Sequence, residues 1–187
     1  MSTFIALEGI DGSGKTTVAK ILAKHFGYTH LELTAPSFRP FLDGLLGSGD
    51  PNMFHAANIV NLMHTSSLVA AEIALENNVI CDRYTPTIVG YHRTMAKRKG
   101  VSNIFDPDLQ NCAIRQPDFM FHFTINEDVR QQRMNKRGRT TNSDTMMDNE
   151  EIRTSILQQY NAMDMIEINT SYLTPEQIAD KVLAYID

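Results

Sequence analysis

Apolar positions along the chain fall into two alternating patterns. Short segments that carry apolar residues occur at Thr3–Leu7, Thr29–Leu33, Val79–Cys81, Phe119–Ile125 and Met165–Ile168. Runs of this length, bounded by polar or turn-forming residues, predict buried strands. Between them, apolar residues recur at helical spacing. Val18, Ala19, Leu22, Ala23 and Phe26 mark a helix over Lys15–Phe26, stopped by Gly27. Ala35-Pro36 breaks the chain after the second strand. Pro51 opens a long helix that reaches about Glu76 and ends at Asn77-Asn78.

The pattern also predicts a helix over Thr87–Ala96, closed by Lys97-Arg98-Lys99 and Gly100, and a shorter one over Asp106–Ile114. Asn126 is placed to cap a further helix, and Pro175 to open a closing helix through Ile186. Strands that alternate with helices imply a parallel sheet covered on both faces, a three-layer α/β/α arrangement of five strands. Ligands of such sheets bind at the carboxyl ends of the strands. The loop Gly9–Gly14 and the pair Asp82-Arg83 both fall at such ends.

Composition narrows the picture without changing it. A chain of 187 residues suits one domain spanning 1–187. The formal net charge of -5 argues against a broad nucleic-acid surface. Clustered basic residues therefore stand out. The two cysteines, Cys81 and Cys112, show no metal-ligand spacing and fit a reducing, cytoplasmic setting. No apolar run approaches the ~18 residues of a membrane span, and the N-terminus lacks the pattern of a signal peptide.

Gly9-Ile10-Asp11-Gly12-Ser13-Gly14-Lys15-Thr16 matches G-x-x-x-x-G-K-[ST] between a strand and a helix, which predicts a phosphate-loop (P-loop) NTPase fold. Glycines let the backbone turn so that N–H groups converge on an anion, and the following helix adds its positive end. Lys15 is placed to reach the β- and γ-phosphates, Thr16 to ligate Mg²⁺, and Thr17 to add a hydroxyl to a phosphate. The motif implies a nucleoside triphosphate but does not separate a kinase from a GTPase or a motor.

Two further elements bear on that choice. In Val79-Ile80-Cys81-Asp82-Arg83-Tyr84, Asp82 is a candidate to hold Mg²⁺ through water. Arg83 offers forked donors for a phosphate. Arg130, Arg133, Lys136, Arg137 and Arg139 then crowd one stretch, with Arg133 and Arg137 on one helical face. The polar segment that follows has the composition of a flap, so residues 136–147 are expected to form a mobile lid. Arginines closing over phosphates would exclude water and stabilise charge on the transferring group.

Together these elements resemble the thymidylate kinase family, and the resemblance runs in order along nearly the whole chain. It rests on Phe4–Gly12 with Asp11, on Asp82-Arg83-Tyr84, on Gln116-Pro117-Asp118, on Lys136-Arg137-Gly138 and on Ile168-Asn169-Thr170. The resemblance implies ATP as donor, Mg²⁺, and a nucleoside monophosphate acceptor, foremost dTMP. It implies that Asp11 lies near the acceptor sugar and that Arg83, helped by Arg39, binds the acceptor phosphate. Gly12 stands where some members carry a basic residue, so this chain resembles those that carry it in the lid. Members use an aromatic residue and an arginine of the long helix to hold thymine, and the register adopted here places Met63 and Ser67 there. Thr87 and Tyr91 follow at helical spacing and are candidates for the same pocket. Members are commonly dimers through long helices, which makes the apolar stretch after Pro51 a candidate homodimer surface.

Three rival readings remain open, the first being a kinase of a different nucleoside monophosphate in specialised metabolism. A kinase of a nucleoside or small-molecule hydroxyl would need a carboxylate at the nucleophile, for which Glu8 and Asp11 are available. A nucleotide-dependent switch would keep the loop but would need no acceptor pocket. No Asn-Lys-x-Asp guanine box is present.

Overall fold

The structure is a computed structural model that describes residues 2–101, 105, 107–109, 112–138 and 146–186; the side chains of 46–48 are not described. Five strands, β1 (Phe4–Glu8), β2 (Thr29–Glu32), β3 (Val79–Asp82), β4 (Phe119–Thr124) and β5 (Ile166–Asn169), form one sheet in the order β2-β3-β1-β4-β5. All four pairings are parallel, with Leu7 opposite both Asp82 and Phe121. The helices are α1 (Lys15–Phe26), α2 (Arg39–Ser48), α3 (Pro51–Ala74), α4 (Thr85–Arg98), α5 (Glu127–Arg137), α6 (Glu150–Asn161) and α7 (Pro175–Leu183).

The period of two in a strand divides the core into two layers. Ile5 and Leu7 pack with Leu22 of α1 and Val182 of α7, whereas Phe4 and Ala6 pack with Leu62 of α3 and Ile88 of α4. α3 is further pinned by polar contacts: Asn61 Nδ2 and Thr65 Oγ1 both donate to the carbonyl of Leu33, at 2.7 and 2.9 Å. Those two bonds set the rotation of the helix, which matters for the site.

The five strands and the helices α1, α3, α4, α5 and α7 stand where the hydrophobic pattern places them, within about two or three residues at their ends. Two helices escaped it. α2 follows the break at Pro36 and carries Pro40 in its first turn, where proline is tolerated. α6 buries Ile152, Ile156 and Tyr160, a stripe spaced four residues apart on an otherwise polar helix, and the Asn149 side chain caps it by accepting from Ile152 N–H. The expected helix over Asp106–Ile114 does not form at 107–109 or 112–114; its other residues lie outside the described residues, and the neighbouring Phe105 is not helical either. Just after this segment, Arg115 N–H donates to Ser66 Oγ at 2.7 Å. Most of the expected lid, including Arg139, also lies outside the described residues.

Candidate active site

The carboxyl ends of β1 and β3 open onto a cleft of about 1080 Å³ lined from both halves of the sheet. In this strand order, the chain passes from one side of β1 to the other between β3 and β4. That reversal is the point at which open parallel sheets bind ligands.

The phosphate loop leaves β1 at Gly9. A Cβ there would lie 2.5 Å from the carbonyl oxygen of Phe123, so only glycine lets the loop pass β4. Gly12 has φ +92°, and its Cβ would meet the Arg130 stem at 2.9 Å. A basic side chain at this position has no room, in keeping with the glycine found there. Gly14, in the left-handed conformation, starts α1, so the helix N-terminus faces the cleft.

Lys15 is buried, and its ammonium donates to the carbonyl of Ile10 at 3.0 Å. Burial and the nearby Arg83 charge lower its pKa to about 8, against the pull of Asp82, Asp11 and Glu8. Gly12, Gly14, Thr16 and Thr17 line the cleft, while Gly9 and the buried Ser13 support the loop from beneath.

Asp82 ends β3, and its Oδ2 accepts the Thr16 hydroxyl hydrogen. Its Oδ1 is buried and has no hydrogen-bond partner among the described residues. A hydroxyl and a buried carboxylate with an unused oxygen beside a phosphate cradle are the donor set that a hard divalent cation takes. No cluster of three acidic, histidine or cysteine ligands occurs among the described residues. That is consistent with an ion completed by water and substrate phosphates.

Arg83 holds the left-handed conformation, φ +72°, costly for a residue with a Cβ. The turn brings its guanidinium into the cleft beside Asp11, with which it forms a half-buried ion pair. Its Nη1 donates to Gly9 O at 3.3 Å and to Thr87 Oγ1 at 3.2 Å, and the guanidinium lies 6.0 Å from the centre of the Tyr91 ring. Burial opposes the Arg83 charge, but Asp11 and the neighbouring acidic groups more than offset it and raise its pKa. Asp11, Arg83, Thr87 and Tyr91 are thus brought together as the sequence suggests. Arg39 also lines the cleft, in an exposed pair with Glu32 at 3.3 Å.

Arg133 lines the cleft beside the phosphate loop, and its donors also have acceptors within the protein. Its Nη2 donates to Thr170 O at 2.7 Å and its Nη1 to Gly12 O at 3.3 Å, which ties the phosphate loop to the turn after β5. Arg137, one turn further on, is exposed and lines the cleft.

Met63 and Ser67 do not reach the cleft. Met63 is 53 % exposed, and Ser67 Oγ donates back to Met63 O on the outer face of α3. Met63 stands two residues after the anchor Asn61, and Ser67 two residues after the anchor Thr65. Two residues is about 200° around a helix. The α3 residues that line the cleft are Phe54, His55 and Asn58, about two turns earlier. His55 and His92 are buried with their rings stacked 3.7 Å apart, while His64 is exposed. The spacing of Phe54 and Asn58, four residues apart, was a usable signal for this face.

A parallel sheet in this order, with a phosphate loop and a half-buried arginine beside it in the cleft, defines a P-loop phosphotransferase. A thymidylate kinase family model matches residues 7–181, and the chain belongs to that family. The "Probable thymidylate kinase" of Methanococcus aeolicus is 30% identical over 178 residues, covering 94% of this chain and 84% of that protein. Among solved structures, a thymidylate kinase from Candida albicans superposes with a TM-score of 0.73 at 16% identity, covering 99% of this chain and 91% of that one. A deoxyadenosine kinase from M. mycoides superposes with a TM-score of 0.65 at 15% identity, covering 99% of this chain and 100% of that one. At those identities the two structures bear on the fold alone.

Proposed function

We propose that the protein transfers the γ-phosphoryl group of ATP to dTMP, giving ADP and dTDP. The observation that carries this reading is the convergence of Lys15 and Arg83 on one cleft that continues to Phe54 and Asn58. Gly12–Thr17 hold the donor phosphates, with Lys15 at the β- and γ-oxygens. Thr16 and Asp82 are the residues that would hold Mg²⁺, which when bound would offset charge on those phosphates. Arg83, with Arg39, holds the acceptor phosphate, and Asp11 orients Arg83 beside the acceptor sugar. Phe54 offers a ring to the base and Asn58 an amide. Thr87 and Tyr91 close that end, and Arg137 approaches the donor phosphates. Arg133 supports the loop beneath them.

The acceptor oxygen is ionised at neutral pH, so positioning and charge stabilisation supply the catalysis and no general base is required. Phosphorylation of a hydroxyl is not favoured. Glu8 is fully buried, and both of its oxygens already accept hydrogen bonds from the protein. Asp11 is paired with Arg83. The exposed stripe of Met53, Val60, Met63 and Leu68 on α3 supports a homodimer. No helix among the described residues is long and apolar enough to cross a membrane.

The test is ADP release with Mg-ATP and a panel of acceptors: dTMP, dUMP, dGMP, thymidine and none. Turnover fastest with dTMP is expected. Release without an acceptor, or with thymidine alone, overturns the reading.

A further inference from the structure

Glu8 is the last residue of β1, is fully buried and does not line the cleft, yet it touches the elements that place Arg83. Its Oε1 accepts Tyr84 N–H at 2.6 Å and its Oε2 accepts the Thr87 hydroxyl at 2.6 Å. Thr87 Oγ1 has two further neighbours, Arg83 Nη1 at 3.2 Å and Tyr160 Oη at 3.1 Å. A guanidinium N–H can only donate, and an ionised carboxylate can only accept. The single Thr87 hydrogen therefore goes to Glu8, and its lone pairs take Arg83 and the Tyr160 hydroxyl. Every group in the cluster is then satisfied.

An amide at position 8 would break this order. Tyr84 N–H still requires the oxygen, so the NH₂ would face Thr87. Thr87 would then donate to Tyr160, and the displaced Tyr160 hydrogen would have no acceptor among the described residues, in a side chain that is fully buried. The Glu8 charge that polarises Thr87 toward Arg83 would also be lost. Glu8 further steadies the backbone, because Tyr84 N–H directly follows the left-handed Arg83.

We propose that Glu8 is a positioning residue for acceptor binding: it orients the Thr87 hydroxyl, whose oxygen aims the Arg83 guanidinium at the acceptor phosphate. The proposal rests on the reading above in which Arg83 holds that phosphate. It assigns Glu8 no contact with either substrate.

The experiment measures kcat and the KM values for dTMP and ATP in Glu8→Gln, Thr87→Val, the double variant and Arg83→Ala, with thermal melting of each. Glu8→Gln and Thr87→Val are each expected to raise the dTMP KM about tenfold, the scale of one hydrogen bond to a charged group. The ATP KM should move less than about twofold. Because Glu8 acts through Thr87, the double variant should be no worse than Thr87→Val alone, whereas independent effects would multiply to about a hundredfold. Multiplying effects, or a Glu8→Gln defect confined to melting or to the ATP KM, would overturn the relay. If Glu8→Gln fails to fold, Thr87→Val decides: a wild-type dTMP KM overturns the relay. An unchanged dTMP KM in Arg83→Ala overturns the acceptor-phosphate reading and the relay with it. A defective Arg83→Ala beside a wild-type Thr87→Val overturns the relay alone.

Discussion

The Thr16 hydroxyl donates to Asp82 Oδ2, joining the first turn of α1 to the tip of β3 across 66 residues of sequence. The contact brings a hydroxyl and a carboxylate to one point beside the phosphate cradle, and the second Asp82 oxygen is left buried and unused. Asp82→Asn is therefore expected to raise the Mg²⁺ concentration for half-maximal turnover about ten- to a hundredfold, the usual cost of losing an outer-sphere ligand partner. A Mg²⁺ titration at saturating nucleotides reads this directly. An unchanged midpoint removes Asp82 from the ion site.

Lys15 carries a charge that the folded protein holds at a cost. Its pKa falls from the ordinary 10.5 to about 8, so in that window the unfolded chain binds more protons than the native one. Stability then rises with pH from about 8 to about 10.5, and below pH 8 the full penalty applies. Lys15→Met should abolish transfer yet melt higher than wild type at pH 7, by on the order of 1–3 kcal/mol in stability. The gap should close toward pH 10. A variant that melts lower at pH 7 would show that the surrounding carboxylates need the lysine more than burial resists it.

The rotation of α3 makes a sharp prediction about the base. Phe54→Ala should raise the acceptor KM at least tenfold, since an aromatic face beneath a base contributes about 1–3 kcal/mol. Asn58→Arg should change the relative kcat/KM of dTMP, dCMP and dGMP at least tenfold, while Ser67→Arg leaves that ranking in place. The opposite pattern would restore the later register on α3.

Val60 is 59 % exposed at the middle of the apolar stripe on α3. Burying a glutamate in an apolar interface without a partner is strongly unfavourable. Val60→Glu should convert a dimer to a monomer in sedimentation with little change in the circular dichroism of the fold. A wild type that sediments as a monomer at micromolar concentration would instead leave this face as ordinary surface.

Strands, most helices and the phosphate loop were legible because each is a local pattern. Five short apolar runs, a glycine at the end of α1 and prolines opening α3 and α7 carry their meaning within a few residues. The same holds for the placement of Lys15, Thr16, Asp82 and Arg83 along the cleft, since a strand end followed by a loop puts those side chains at the ligand-binding edge of a parallel sheet. α6 was missed although Ile152, Ile156 and Tyr160 form a regular stripe, because its polar majority concealed them. α2 was missed because Pro36 marks a break and the helix resumes only three residues later.

What remained was a matter of angle and partner, which no local pattern contains. The cleft-facing side of α3 was decided by Asn61 and Thr65, which bond the Leu33 carbonyl 28 and 32 residues away in sequence. Once they face inward, helical geometry sends Met63 and Ser67 to solvent and turns Phe54 and Asn58 toward the cleft. Arg133 likewise carries the same donors wherever it lies, and only the approach of the turn after β5 makes Gly12 and Thr170 its acceptors. Local spacing sets which groups a segment can offer. Packing between distant segments sets where they point, because a rotation of about 100° per residue turns small shifts in register into opposite faces.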